Sequence, residues 1–168
     1  MANNYLAQSH LCQLYYTLIN PHLLYGNLLW GSTYKSHLHK LELQQKRAIR
    51  VITHSKYNEH TSPLFKRLNI LKLKDIHEIE LAKFAFMHQE NSLPPPLLSI
   101  YNQNSLVHSY NTRQHLDFHM NKIHLDVVFR SFLHKGPRVW SKIPPELKIS
   151  KSSKCLGSRL KKIKLCEY

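Results

Sequence analysis

The chain predicts a mainly α fold: an N-terminal helical bundle over residues 1–90, a proline-rich linker over 91–126, and a smaller, mixed but mostly helical segment over 127–168. Three observations carry that expectation. Apolar residues recur at three- and four-residue spacing across 6–18, 38–52, 73–89 and 153–163. Two isolated prolines, Pro21 and Pro63, stand where helices would begin, the position at which a fixed φ and a missing N–H cost nothing. The run Pro94-Pro95-Pro96 cannot continue a helix and marks the boundary between the halves.

Taken in order, Leu6, Leu11, Leu14 and Leu18, with Tyr15 and Tyr16 beside them, place a first helix that ends near Asn20. Asn20 suits the N-cap, and Pro21 the first position, of a second helix that carries Leu23, Leu24, Leu28 and Trp30 and stops around Gly31. Ser32 or Thr33 is expected to cap a third, longer helix. Its stripe of Leu38, Leu41, Ala48, Ile49 and Ile52 would face the core, while Lys40, Lys46, Arg47 and Arg50 project around the other side. A short fourth helix opens at Ser62 with Pro63 as its first residue and buries Leu64, Phe65 and Leu68. The fifth, near 73–89, shows Ile76, Ile79, Leu81, Phe84, Phe86 and Met87 around much of its circumference, which requires several packing neighbours.

Beyond the prolines the pattern weakens. Residues 97–123 mix polar side chains with room for short strands. Helical spacing returns with Phe129, Phe132, Leu133 and Trp140, although Gly136-Pro137 should kink or break that helix and Pro144-Pro145 should end it. Trp140, with Ile143 and Pro144, is expected to anchor the tail onto the core. Ser153 would cap a last helix with Leu156, Leu160 and Ile163 inward and Lys154, Arg159, Lys161, Lys162 and Lys164 outward.

Lys and Arg number 24 against 10 Asp and Glu, a formal net charge of +14 that raises affinity for polyanions without choosing a fold. A solvated basic surface with no partner is the plain alternative. Three cysteines without CxxC spacing suit a reducing compartment and suggest no disulfide framework. The opening MANNYLAQSH has no basic region followed by an apolar one, and residues 14–30 are interrupted by Asn20, Pro21, His22, Gly26 and Asn27, so neither a signal peptide nor a membrane span is expected. Cytoplasm or nucleus is the expected location.

Enzyme signatures fail one after another. Metal-dependent nucleotide transfer needs clustered carboxylates to hold two cations, but Asp75, Asp117 and Asp126 are the only aspartates and none are adjacent. There is neither a glycine-rich phosphate loop nor a GxSxG elbow. His77-Glu78 could begin HExxH, yet Leu81 stands where the second histidine belongs. Cys12, on an apolar helical face, reads as an inert buried thiol rather than a nucleophile. The pairs His115/His119, with His124 following, and His37/His39 could share a cation, but no cysteine lies close and surface histidines are the simpler reading. No cofactor or metal is expected.

Five segments stand in a fixed order: LYYTLINPHLLYGNLLWG at 14–31, LQQKRAIRVI at 43–52, HTSPLFKRLNILKLKDI at 60–76, HSYNTRQ at 108–114, and GPRVWSKIPPELK at 136–148. Together, over roughly residues 11–165, they resemble the region downstream of the catalytic palm in a non-LTR (LINE-like) retrotransposon reverse transcriptase, an RNA-directed DNA polymerase. The resemblance implies a thumb-like helical bundle that grips a template–primer duplex, with the palm, which carries the catalytic Asp-Asp pair, as its missing neighbour. It implies no catalytic residue in this chain. Lys40, Lys46, Arg47 and Arg50, with Lys154, Arg159, Lys161, Lys162 and Lys164, would make weak, salt-sensitive contacts to RNA or an RNA/DNA duplex, and Tyr15, Leu18, Leu24, Leu28 and Trp30 would pack the bundle. Tyr25 could stack on a base or be buried. Arg113 could hold a phosphate, with Ser109 and Thr112, or pair internally with Glu78, Glu80 or Asp126.

Residues 1–10 depart from the family pattern, and Gly157 should weaken the last helix by roughly 1 kcal/mol relative to alanine. Both, with the initiating methionine, fit a truncated and decaying copy. The alternative, of another class, is a repurposed helical module whose apolar face at 23–30 meets a protein partner.

Overall fold

The computed structural model describes residues 6–107, 117–120 and 122–168. They are mainly helical, and β structure among them is limited to one antiparallel bridge between Gln103 and Phe118. Contacts divide the chain into two compact units, Met1–His77 with Lys161–Tyr168, and Glu78–Leu160. The proline run lies inside the second unit.

The first unit begins with α1 (Gln8–Leu14), which passes through one wide π-helical turn (Tyr15–Ile19) into α2 (Asn20–Leu24). The expected stop at Asn20 is absent, since Asn20 itself is helical at φ −58°, ψ −39°. Pro21 has no N–H to give the preceding turn, and its ring would strike the carbonyl four residues back. The wide turn placed before it re-spaces that ladder, so the chain continues. The predicted second helix is instead divided: Gly26, left-handed at φ 61°, separates α2 from α3 (Asn27–Trp30).

Next come α4 (Lys35–Ile52), α5 (Thr61–Arg67) and the first turn of α6 (Leu73–Gln89). Neither Ser32 nor Thr33 caps α4, which starts after Tyr34 without a side-chain cap. Its inward stripe also differs from the apolar one expected. Leu41 is exposed, while the polar Gln45 is buried alongside Ile49 and Ile52. The core joins Leu11, Tyr15 and Leu23 to Ile49, Ile52, Leu64, Phe65, Ile70, Leu73 and Ile76. Leu18 and Leu24, expected to pack the bundle, face solvent, and Ile163 of α11 (Ser153–Cys166) is likewise exposed.

Two buried polar clusters tie this core together. Gln45 donates from Nε2 to the Tyr15 hydroxyl and to the Leu71 carbonyl, both at 2.9 Å, and accepts the Leu73 N–H at 3.0 Å. Asn27 donates to the Leu23 carbonyl at 2.8 Å, and His77 Nδ1 lies 2.9 Å from Asn27 Oδ1 and 3.1 Å from its carbonyl oxygen. Both Asn27 oxygens are acceptors, so His77 Nδ1 carries a proton and donates to them, while Nε2 is hydrogen-bonded to Ser32 Oγ at 3.3 Å.

The second unit holds the rest of α6, a 3₁₀ turn at Pro95–Leu97, α7 (Asn104–Val107), α8 (Asp126–Arg130), α9 (Phe132–Ser141), α10 (Pro145–Lys148) and α11 up to Leu160. Ile79, Leu81, Phe84 and Phe86 are all buried, which matches the wide apolar circumference read for this helix. Trp140 and Ile143 are buried as expected, and Phe118 packs between Tyr101, at 5.0 Å centroid separation, and Trp140, at 6.2 Å. The break predicted at Gly136-Pro137 falls earlier, at Ser131, which is extended at ψ 157°. Pro137 stays inside α9, and both it and Gly136 are buried. A Cβ on Gly136 would overlap the Tyr101 hydroxyl, which donates to the Phe132 carbonyl at 2.9 Å. Ser152, one residue before the predicted cap, accepts the Cys155 N–H at 3.2 Å and so caps α11.

Histidines give this unit a pH dependence. Burial holds His88 below its ordinary 6.5, against a bond from Nε2 to the Leu98 carbonyl, and His134 is lowered by burial and by nearby Arg138. Below about pH 6.5 the unfolded chain therefore binds protons that the folded one refuses, and stability falls with falling pH. Trp140 is the only tryptophan here, so a Trp30→Phe background reports this unit by fluorescence. Its urea midpoint should be lower at about pH 5.5 than at about pH 7.5, and His88→Gln should shrink the difference. An unchanged midpoint would refute the assignment.

Candidate nucleic-acid interface

The cations of α4 differ in their surroundings. Lys40 and Arg47 are exposed, with no ion pair or hydrogen bond among the described residues. Arg50, by contrast, donates to the Glu59 carbonyl from Nε at 3.2 Å and from Nη2 at 3.0 Å, and its guanidinium lies 5.9 Å from the Tyr57 ring centre. It holds the turn after α4 against the last turn of that helix, where the helix dipole favours a cation. This is structural work within the first unit.

Lys46 is half-buried and turns toward a groove of about 240 Å³ between α4, the start of α5 and the start of α6. Its other walls are Glu42, Gln45, His60, Thr61, Ser62, Phe65, Lys72, Leu73 and Lys74. Lys72 Nζ donates to Ser62 Oγ at 3.1 Å and stands 3.9 Å above the Tyr168 ring centre. The Lys72 N–H donates to the Tyr168 hydroxyl at 2.9 Å, and that hydroxyl donates in turn to Asp75. Burial and the Asp75 carboxylate push the Tyr168 hydroxyl well above its ordinary range, so it stays a neutral donor. Lys72 and Lys74 were not among the residues singled out from the sequence. The only signal was the LKLK alternation at 71–74, which gains meaning once α4 and α5 are folded beside it.

No family model, curated protein or solved structure matches the chain.

The cations of α11 separate by role. Lys164 pairs with Asp75 at 3.8 Å and with Glu167 at 3.6 Å, so it serves the first unit internally. Lys161 is half-buried, and burial lowers its ammonium pKa. Lys162 in the first unit, and Lys154 and Arg159 in the second, are exposed without partners among the described residues. Arg113 lies, with the rest of HSYNTRQ, outside the described residues.

Tyr25 is 87% exposed, so of its two expected roles burial does not hold. Its carbonyl accepts the Trp30 indole N–H at 2.6 Å, so backbone geometry is set here while the ring stays in solvent. Cys12 is half-buried and its thiol is raised by burial, as an unreactive thiol would be. Among the described residues no three His, Cys, Asp or Glu side chains are placed to share a metal ion. No described helix is long and apolar enough to cross a membrane.

Proposed function

We propose that this chain is a non-catalytic fragment of a non-LTR retrotransposon reverse transcriptase, from the thumb and downstream region, and that it grips RNA or an RNA/DNA duplex. In a whole element it would hold template and growing DNA during target-primed reverse transcription, beside the palm that carries the polymerase aspartates. The reading is supported most by unpaired cations on a rigid helix: Lys40, Lys46 and Arg47 of α4 have no partner among the described residues. Charges in this state attract polyanions through counterion release, independently of sequence. The quoted segments also supply buried groups of the first unit that meet in pairs: Gln45 bonds the Tyr15 hydroxyl, and Gly31 lies against the Asn27 carbonyl.

Salt tests the reading. Three phosphate contacts, one each for Lys40, Lys46 and Arg47, would lower affinity for single-stranded RNA roughly twentyfold between about 50 and 200 mM salt. Lys40→Glu with Arg47→Glu should remove most of that dependence in a fluorescence-anisotropy titration. Salt-insensitive binding, or none, would overturn the proposal, and primer extension by the purified chain would overturn its non-catalytic part.

One observation favours a second reading, a helical module for a protein partner. Tyr25, Leu29 and Leu18, large apolar side chains of the first helices, are 87%, 69% and 61% exposed. In a polymerase such a face would meet the palm. For a free-standing module, Leu29→Lys should abolish partner binding or self-association with little dependence on salt.

A further inference from the structure

We propose that the groove between α4, α5 and the start of α6 binds one phosphate of a nucleic-acid backbone, with Lys46, Lys72 and Lys74 as its cationic wall. The inference rests on the nucleic-acid reading above and gives it a specific seat.

Size sets the ligand class. At about 240 Å³ the groove is smaller than the roughly 300–1,000 Å³ of pockets that enclose a drug-sized molecule. It admits a phosphate and part of its sugar, leaving bases outside. Charge sets the sign: three lysines line the groove against one carboxylate, Glu42. The nearby Asp75 is buried and already engaged by Tyr168 and Lys164, so it does not neutralise the groove.

Lys46 and Lys72 are suited to an anion in different ways. Lys46 is half-buried, and its ammonium has neither an ion-pair partner nor a hydrogen-bond acceptor among the described residues. An incoming phosphate oxygen would supply one as a charge-assisted bond. Lys72 is already oriented by Ser62 and by the Tyr168 ring, which spares part of the entropy of immobilising a long side chain on binding. Backbone donors at the start of α6 contribute little. There the Lys72 and Leu73 N–H groups are taken by Tyr168 and Gln45. Recognition therefore falls to lysine ammoniums, which read charge and not sequence.

The test is anisotropy of a labelled single-stranded RNA with the full chain across a salt series. Lys46→Ala with Lys74→Ala should lower the log–log salt slope by about 0.7 for the lost phosphate and weaken binding several-fold at low salt. Glu42→Gln removes the opposing carboxylate and should tighten binding, an opposite effect that a folding defect would not produce. If the parent chain binds RNA and neither variant changes affinity or slope, the groove assignment is wrong and the broader reading survives. If the parent chain binds no RNA, both fall. Displacement of RNA by inorganic phosphate at constant ionic strength would assign the groove to the free ion and overturn the backbone assignment.

Discussion

Gln45→Ala should lower the stability of the first unit by about 4 kcal/mol, because it orphans buried polar groups and opens a cavity at once. Gln45 is buried in the stripe of α4 that would otherwise be apolar, and it bonds three separate parts of the chain: the Tyr15 hydroxyl, the Leu71 carbonyl and the Leu73 N–H. The last is one of the N–H groups at the start of α6, which an intact helix leaves without an intrahelical acceptor. Each buried group left unsatisfied costs about 1–3 kcal/mol, so the sum outweighs the cavity alone. Trp30 is the only tryptophan of this unit, and a Trp140→Phe background lets its fluorescence report urea unfolding. Gln45→Leu restores most of the volume without the bonds and should recover only the cavity part. If Leu proves as stable as Gln, the polar contacts contribute nothing net.

Gly31→Ala should cost about 3 kcal/mol, by overpacking and by disturbing the buried bonds of Asn27 and His77. A Cβ at Gly31 would overlap His77 Nδ1 and stand 2.5 Å from the Asn27 carbonyl oxygen. Neither can yield cheaply, since the carbonyl is helix backbone and His77 is held on both ring nitrogens. Gly157→Ala is the contrast. There the Cβ would meet only the end of the Lys83 side chain, which can swing away from its 2.7 Å pair with Glu80. The gain of about 1 kcal/mol in helix propensity and the loss of a half-exposed ion pair nearly cancel. Equal destabilisation by the two substitutions, measured by urea denaturation, would refute the packing argument.

Much of the helical plan could be read in advance. The helix expected near 73–89 is α6, because an apolar surface around most of a helix leaves little freedom in its period. The errors cluster at prolines and caps. Pro21 and Pro137 both sit within continuous helical stretches, one behind a π turn and the other buried, where packing offsets a lost hydrogen bond. Ser32, Thr33 and Ser153 had the right chemistry for caps but the wrong position, since a cap is selected by the direction in which the chain arrives. For the candidate interface, the sequence located the basic segments but not their division of labour. Arg50 and Lys164 looked equivalent to Lys40 and Arg47 until Glu59, Asp75 and Glu167 were seen beside them.

By itself, then, the amino-acid order determined the helical class, most element positions and an excess of positive charge. These follow from local periodicity and composition, which act over a few neighbouring residues. Tertiary structure alone decided which cations remain unpaired, that Gln45 and Asn27 belong inside, and that Lys72 joins Lys46 at one groove. Burial and ion pairing depend on residues far apart in the chain, and no local pattern encodes which distant partner arrives.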